Sequence, residues 1–406
     1  NAELGDLLAA WTAAGADDIE NWAAQWLRVA GLDTLRTVGN SILRETPAAL
    51  PAARGHEITV ASYDDTGAPL QHIAVVVAAD ETEIDIAPAA LVLADARDET
   101  WAKIALPEAS WVSLPTFFPA LDLHARVVIW TALQSAIADA DIDPAVALEF
   151  VRAGIPAEGE DSVLGQVLSW ATDTLAGTYL DDARRPAALA IIAAAAQASL
   201  GAAAPATGHQ LAALRGVVAA GTDIRRLRGW LDGDVPDGVD LDVDLRWRII
   251  SRLCAFGDYT ADELATAAGQ DDSAEGAQHA ALCEALIPDA DAKRAAWQRL
   301  MVDRQCPNSL LYATARGFWH PSQSALTDPY VQRYFDEIGG TAALRSGFVV
   351  ARLAGLAYPW TAVSRRTLTR TTEFLAATDV PAGIRRAVLD NGDDLRRALE
   401  SRERFP

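Results

Sequence analysis

The feature that most constrains this chain is a run of helical periodicity between Asp242 and Ile338. At its start, Trp247, Ile250 and Cys254 share one face, with the spacing of three and four residues that is typical of an amphipathic helix. Asp244 is placed to cap this helix at its N-terminus. No period-two alternation interrupts the run, so it predicts helices and no strands.

The same run contains several signals for where its helices begin and end. Thr260-Ala-Asp-Glu263 is a capping box, which predicts a second helix from that point. Further helices are predicted over 274–286, from about 291 to 301, over 310–318 and over 328–338, the last with Pro329 in its first turn. Short helices joined by short loops predict an α-solenoid of stacked helix pairs.

The length and the charge of the chain limit its function classes. Its 406 residues are enough for two or three domains, and the hydrophobic content of 50% is that of a globular protein. A formal net charge of −22 argues against binding to nucleic acid or to an anionic membrane surface, because both would repel the chain. We therefore expect neither nucleic acid nor membrane among its partners.

Two other features of the composition bear on membrane crossing and on compartment. The alanine-rich segment 187–204 is apolar, and we expect it to be a buried helix of the solenoid rather than a membrane span. The three cysteines, 254, 283 and 306, match neither a disulfide framework nor a zinc knuckle. They predict free thiols in a reducing compartment, and no basic segment precedes an apolar one at residue 1, so we expect a cytoplasmic location.

The N-terminal quarter of the sequence has a different pattern of apolar and polar residues. Helices are predicted over 3–14 and 17–30, with Gly31 closing the second, and Trp22 and Trp26 lie on its apolar stripe. Period-two alternation then begins at His56, and strands are predicted only within about 50–107. The fold class predicted from these patterns is mainly α, a small β-sandwich followed by a large α-solenoid.

Several motifs together resemble one known family. They are Asp18-Ile-x-x-Trp-x-x-x-Trp-Leu-x-x-Ala-Gly-Leu-x-Thr-Leu35, the segment from Leu91 to Lys103, Asp-Leu-Arg-Trp-Arg (244–248), Gly-Phe-Trp-His-Pro-Ser-Gln (317–323) and Tyr-Val-Gln-Arg-Tyr-Phe (330–335). In this order, they resemble the C-terminal part of the aminopeptidase N family of zinc metallopeptidases, in its actinobacterial form. The resemblance implies three domains: helices from the end of a truncated catalytic domain over 1–46, a β-sandwich over 47–108 and the helical solenoid over 109–406.

The resemblance also implies an activity that this chain lacks the residues to perform. A peptidase of this family removes N-terminal amino acids from peptides with a zinc ion held by a His-Glu-x-x-His helix. The only His-Glu pair here, His56-Glu57, is followed by Val60 where the second histidine is needed, and the six histidines are scattered. We therefore expect no metal or cofactor in this chain, zinc in the full-length enzyme with its ligands N-terminal to residue 1, and no activity of the chain alone.

The role that the resemblance gives to the helical domain is to enclose the active-site chamber and limit the entry of peptides. Residues that could face such a chamber are Arg246, Arg248, Arg316, Trp319 and His320. Each is explained more simply as a surface charge or a packing aromatic. The expected partners are peptides and the missing catalytic domain, in a monomer. The alternative is a non-catalytic solenoid scaffold that binds peptides or proteins. A standalone hydrolase has no supporting triad.

Overall fold

The computed structural model describes residues 2–377 and 379–406, which divide into two compact units, 1–136 and 137–406. All the strands that the structure describes lie in the first unit. After residue 105, the described part of the chain forms helices and turns. The chain is therefore mainly α-helical with a small β part, as the sequence predicts.

The first unit begins with two helices and continues through two small sheets. The helices are α1 (Leu4–Ala13) and α2 (Ile19–Trp26), followed by β1 (Thr34–Val38), β2 (Ser41–Glu45), β3 (His56–Tyr63), β4 (Pro69–Val77), β5 (Glu81–Glu83), β6 (Leu91–Leu93) and β7 (Lys103–Ala105). The unit ends with α3 (Glu108–Ser113), two short 3-10 turns and most of α4 (Leu123–Ala138), within which the division between the units falls.

The seven strands form a four-stranded and a three-stranded sheet. The strand order is β5-β2-β1-β7 in the first sheet, where β1 and β7 run parallel, and β4-β3-β6 in the second, which is antiparallel. The central strand β3 is buried on both faces over its last residues, 60–63. Side chains that are fully buried in this unit include Leu35, Ile42, Val60 and Leu93, one from each of four strands.

The prediction that strands are confined to about 50–107 is wrong at its N-terminal end. β1 and β2 form a hairpin around the two residues Gly39 and Asn40, and Leu35 and Ile42 bury completely while their neighbours along each strand do not. Five residues per strand give too short a period-two signal to outweigh the helical pattern before it. The predicted boundary at 46/47 therefore separates β1 and β2 from β5 and β7, which share their sheet.

The prediction that Gly31 closes the second helix is also wrong. α2 ends at Trp26, and Gly31 has a φ of +120° in an extended segment. A Cβ at this position would lie 2.2 Å from the carbonyl oxygen of Leu50, so only glycine fits. The guanidinium of Arg54 donates to the carbonyl oxygens of Val29 (2.7 Å) and Gly31 (2.7 Å), and this binds the segment to the sheets instead of to a helix.

The second unit consists of helices. They are α5 (Pro144–Gly154), α6 (Asp161–Ser169), a π-helix (Trp170–Tyr179), α7 (Arg185–Ala202), α8 (Gly208–Ala220), α9 (Ile224–Leu231), α10 (Val243–Phe256), α11 (Ala261–Gln270), α12 (Ala274–Leu286), α13 (Ala290–Met301), α14 (Asn308–Phe318), α15 (Ser324–Glu337), α16 (Gly347–Leu356), α17 (Arg365–Ala376) and α18 (Ala382–Arg404). Short 3-10 turns occupy Ile155–Ala157, Pro321–Gln323 and Ile338–Ala343.

The helices of the second unit stack in the manner of a solenoid. Each even-numbered helix from α6 to α18 packs on the next even-numbered one. In a second row, α13 packs on α15 and α15 packs on α17. α7 is long and apolar enough to cross a membrane by length and composition alone, and 39% of that stretch is buried in the protein. It packs against α5 and α8, and a core helix of a folded unit has the same composition.

The helix boundaries of the second unit confirm some sequence signals and correct others. The capping box at Thr260 forms as predicted. The cap of α10 is Asp242 rather than Asp244, because Asp242 has the extended backbone of a capping residue and accepts from the N–H of Leu245. α15 begins at Ser324, directly after the 3-10 turn, so Pro329 lies inside the helix rather than in its first turn.

Candidate functional site

Two buried polar side chains hold the ends of three helices of the second unit together. The ammonium of Lys293 donates to the carbonyl oxygens of Ala285 (2.6 Å) and Phe318 (2.8 Å), in the last turns of α12 and α14. The amide of Gln323 donates to a last-turn carbonyl of α10 (3.0 Å) and of α12 (2.6 Å). Carbonyls at helix C-termini have no partner within the helix, so both side chains satisfy groups that would otherwise be unpaired. They fix the position of the chain that follows α14.

That chain contains two of the residues singled out by the sequence. Trp319 is buried and donates from its indole N–H to the carbonyl oxygen of Ala357 (2.8 Å). Nδ1 of His320 accepts from the backbone N–H of Ser322, which leaves its proton on Nε2. Burial, reinforced by the nearby Arg252, lowers the pKa of His320 to about 3, so the imidazole is neutral at physiological pH.

The π-helix lies on the other side of the same region, and Arg185 connects the two. Its guanidinium donates to the carbonyl oxygens of Ala176 (2.9 Å) and Gly177 (3.4 Å) in the π-helix and to that of Pro321 (3.2 Å). It also pairs with Asp182 at 2.8 Å. π-Helices are rare and occur frequently at functional sites. This one is fixed against the turn that carries His320.

A cavity of about 770 Å³ lies between the π-helix, α10 and the turn at 321–323. Its lining is largely apolar, and its charged members are Arg185, Arg252, Arg316, Asp173 and Asp182. A smaller cavity of about 350 Å³ adjoins it, and both are lined by Thr172, Asp173, Arg252, Leu286 and His320. The larger cavity therefore has three arginines against two aspartates, in a chain of net charge −22.

Arg252 and Asp173 are the charged residues that the two cavities share. Nε of Arg252 donates to the carbonyl oxygen of Gly221 (3.0 Å), and its guanidinium lies over the ring of Phe256. Burial lowers the pKa of Arg252 to about 10, which keeps it protonated at neutral pH. Asp173, in the π-helix, accepts from the hydroxyl of Ser169 (3.2 Å). Its side chain is exposed at the cavity mouth, and desolvation by the surrounding protein raises its pKa.

The structure brings together three of the five residues that the sequence singled out. Arg316, Trp319 and His320 line the larger cavity. Arg248 lines the smaller one and pairs with Asp244 at 2.8 Å. Arg246 lines neither, and its guanidinium donates to the carbonyl oxygen of Leu231, the last residue of α9, at 3.4 Å.

Sequence reasoning missed three charged residues that line the larger cavity, Arg252, Asp173 and Arg185. Arg252 follows Arg248 by one helical turn, so the spacing would have placed the two on one face. Asp173 gave no such signal, because a π-helix changes which residues share a face and nothing in the sequence marks it. Arg185 gave no signal either, because it is one of two adjacent arginines before a proline and the sequence does not distinguish between them.

The His-Glu pair of the sequence, His56-Glu57, belongs to the first unit, where His56 contacts other side chains of the chain. His56 lies on β3, with Nε2 3.2 Å from a carboxylate oxygen of Asp33 and Nδ1 2.8 Å from the hydroxyl of Thr100. Among the residues that the structure describes, no group of three or more histidine, cysteine, aspartate or glutamate side chains is arranged to hold a metal ion.

Comparison with known proteins agrees with the motifs. Residues 91–397 match the family model described as the ERAP1-like C-terminal domain. The chain is 30% identical to an aminopeptidase N of Streptomyces lividans, over 99% of this chain and 50% of that protein. It thus spans about half the length of this curated relative. The chain belongs to the aminopeptidase N family, and it carries the ERAP1-like C-terminal domain of that family over residues 91–397.

Proposed function

We propose that this chain is the C-terminal part of a zinc-dependent aminopeptidase, which removes N-terminal amino acids from peptides, and that its helical unit encloses the active-site chamber. The observation that carries the proposal is the cavity of the second unit, lined by Arg316, Trp319 and His320, in a chain of the aminopeptidase N family. The alternative of a non-catalytic scaffold would share the cavity, but it does not account for the similarity along 99% of the chain.

The proposal assigns the zinc ion and the catalytic residues to a part of the enzyme outside these 406 residues. Supporting this, the sequence contains no His-Glu-x-x-His. We expect the purified chain to release no chromophore from amino-acid anilides and to hold no stoichiometric zinc by elemental analysis. Turnover that scales with chain concentration, or one tightly held metal ion per chain, would contradict this assignment.

The exposed apolar side chains of the first two helices suit contact with a catalytic domain. Leu7, Trp11 and Trp22 are each at least 38% exposed, and the rings of Trp11 and Trp22 meet edge to face. Exposed apolar groups of this size gain free energy when a partner covers them. We propose that the catalytic domain covers them in a monomeric, cytoplasmic enzyme.

The role of the cavity is testable in an aminopeptidase that carries this segment. Arg316 is exposed, lines the cavity and has no hydrogen bond or ion pair within the described part of the chain. A guanidinium in this situation can bind the carboxylate at the far end of a peptide. We expect Arg316→Ala to raise KM for a tetrapeptide by a factor corresponding to about 1–3 kcal/mol, and to leave KM for an amino-acid anilide unchanged.

Arg246 provides the matched control, because it lies outside both cavities. Arg246→Ala should leave the ratio of the two KM values at the wild-type level, and Arg248→Ala should lie between the two variants because Asp244 already pairs with Arg248. Equal ratios for all three variants would refute a role for these arginines in peptide recognition.

A further inference from the structure

The larger cavity contains a cation without a counter-ion. Within the described residues, no carboxylate lies within 4 Å of the guanidinium of Arg252, and its Nη2 is buried with no hydrogen-bond partner. The guanidinium carbon lies 4.7 Å from the centroid of the Phe256 ring, which is a cation–π contact. A guanidinium carries five N–H donors, and Arg252 makes one hydrogen bond among the described residues, from Nε to Gly221, so it has donor capacity to spare.

The same cavity contains an anion without a cation. Asp173 interacts electrostatically with Arg252, but the two are farther apart than an ion pair, and the carboxylate of Asp173 accepts one hydrogen bond, from Ser169. The hydroxyl of Thr172, next to it on the π-helix, is buried without a partner in the described part of the structure. Two opposite charges therefore face one cavity with a gap between them.

The neighbouring charges show that this arrangement is not a general property of the region. Arg185 pairs with Asp182 at 2.8 Å, and Arg215 and Arg248 both pair with Asp244 at 2.8 Å. Leaving a desolvated charge unpaired costs several kcal/mol. Arg252 and Asp173, the charged side chains that both cavities share, form no ion pair among the described residues, and a ligand between them would supply the missing partners.

The dimensions and the walls of the cavity indicate what that ligand is. An arginine and an aspartate separated by a gap fit a molecule that has a carboxylate and an ammonium close together. The walls beside them are apolar, with Leu189, Phe256, Leu286 and Trp360 among them. About 770 Å³ is enough for a small organic ligand with an apolar side chain.

We propose that this cavity binds a free α-amino acid with an apolar side chain, whose carboxylate meets Arg252 and whose ammonium meets Asp173. The inference deepens the proposed function, since free amino acids are what an aminopeptidase releases, and it rests on that function only for the origin of the ligand. A released amino acid bound in the cavity would then compete with the C-terminal end of a peptide for the same site.

The test is calorimetric titration of the 406-residue chain with L-leucine, N-acetyl-L-leucine and L-leucinamide. The first has both charged groups, the second lacks the ammonium and the third lacks the carboxylate. We expect L-leucine to bind with a Kd of about 1 mM, in the range of a ligand with few atoms. Each of the other two should bind at least about tenfold more weakly, the effect of about 1.4 kcal/mol per lost charged contact.

Four variants connect the binding to the named side chains. Arg252→Gln and Asp173→Asn should each weaken L-leucine binding about tenfold or more, whereas Arg252→Lys should retain part of it and Arg246→Gln all of it. Asp173→Asn should not change the weak binding of N-acetyl-L-leucine. Near-ultraviolet circular dichroism establishes whether each variant is folded. If an Arg252 variant does not fold, the isosteric Asp173→Asn still tests the proposal.

Two results would overturn the inference. One is the absence of binding of L-leucine and L-phenylalanine at about 10 mM, well above the expected Kd. The other is equal binding of L-leucine and N-acetyl-L-leucine with no effect of Asp173→Asn, which would assign the cavity to the C-terminal carboxylate of a peptide. Because calorimetry on this chain needs no peptidase activity, either result is independent of the KM measurements that test the proposed function.

Discussion

Two charged side chains, Asp33 in the first unit and Arg252 in the second, differ in how completely their polar atoms are bonded. In the first unit, Asp33 is fully buried and both of its oxygens are bonded, to the hydroxyl of Thr46 (2.9 Å), the backbone N–H of Arg54 (2.9 Å) and His56 (3.2 Å). In the second unit, Nη2 of the half-buried Arg252 is buried with no hydrogen-bond partner among the described residues. A fully bonded charge holds segments of the chain together, while a partly bonded one keeps the capacity to bind something else.

The comparison predicts the largest loss of stability for Asp33→Ala. The substitution leaves the N–H of Arg54, the hydroxyl of Thr46 and the ring of His56 without their shared partner, so we expect the first unit to lose about 3–5 kcal/mol. Amide hydrogen exchange over 34–63, followed by mass spectrometry, measures the loss. Asp80→Ala is the control, because Asp80 pairs with Arg44 at 3.0 Å but its side chain is 90% exposed. Similar exchange in both variants would contradict the comparison.

The same cluster predicts an acid limit for the first unit. Burial would raise the pKa of Asp33, but the hydrogen bonds from Arg54, Thr46 and His56 outweigh it and hold the pKa below 3.8. Burial lowers the pKa of His56 below 6.5, although Asp33 opposes this. In both cases the unfolded chain binds protons first, so stability should fall as the pH decreases below about 6.5 and again below 3.8. Urea unfolding at a series of pH values measures it.

Lys293 tests whether a bonded charge also stabilises the second unit. Lys293→Met leaves two helix-end carbonyls buried without a partner, and we expect a loss of about 2–4 kcal/mol by urea unfolding. Arg294→Ala is the control, since Arg294 is next in sequence and its side chain is 61% exposed. An equal effect of the two variants would mean that the bonds of Lys293 contribute nothing.

The ammonium of Lys293 also makes the stability of the second unit depend on pH above neutrality. Burial lowers its pKa from 10.5 to about 7, so between these values the unfolded chain binds the proton and the folded chain does not. The stability should therefore rise as the pH increases from about 7 to 10.5, and Lys293→Met should remove this rise. The chain has only two lysines, Lys103 and Lys293. A 13C NMR titration would therefore show two lysine signals, and the one from Lys293 would report its pKa directly.

The smallest expected effect, and one of opposite sign, belongs to Arg252. Replacing it with methionine removes a desolvated guanidinium and loses one hydrogen bond to Gly221. We expect the free energy of unfolding to stay within about 1 kcal/mol of wild type or to rise, because a residue kept for ligand binding can cost stability. A loss as large as that of Asp33→Ala would show that Arg252 is structural and would weaken the proposed amino-acid site.

Local spacing was enough for much of this molecule. The capping box at Thr260 and the helices between 242 and 338 follow from side chains three or four residues apart, which interact within one helix. The hairpin of β1 and β2 was missed because its short strands are recognisable only with the partners β5 and β7, which are distant in sequence.

The sequence by itself determined the helical solenoid, its capping signals and the family, since these depend on the order of residues along the chain. Only the tertiary structure decided which charges are paired. It places Asp173 and Arg252 in the wall of one cavity without pairing them, and it brings Arg185 to the carbonyl of Pro321 across a large separation in sequence. It also directs Arg246 away from the cavities that Arg252, on the same helix, lines. The reason is physical: pairing and burial depend on the packing of neighbouring helices, which no single helix encodes.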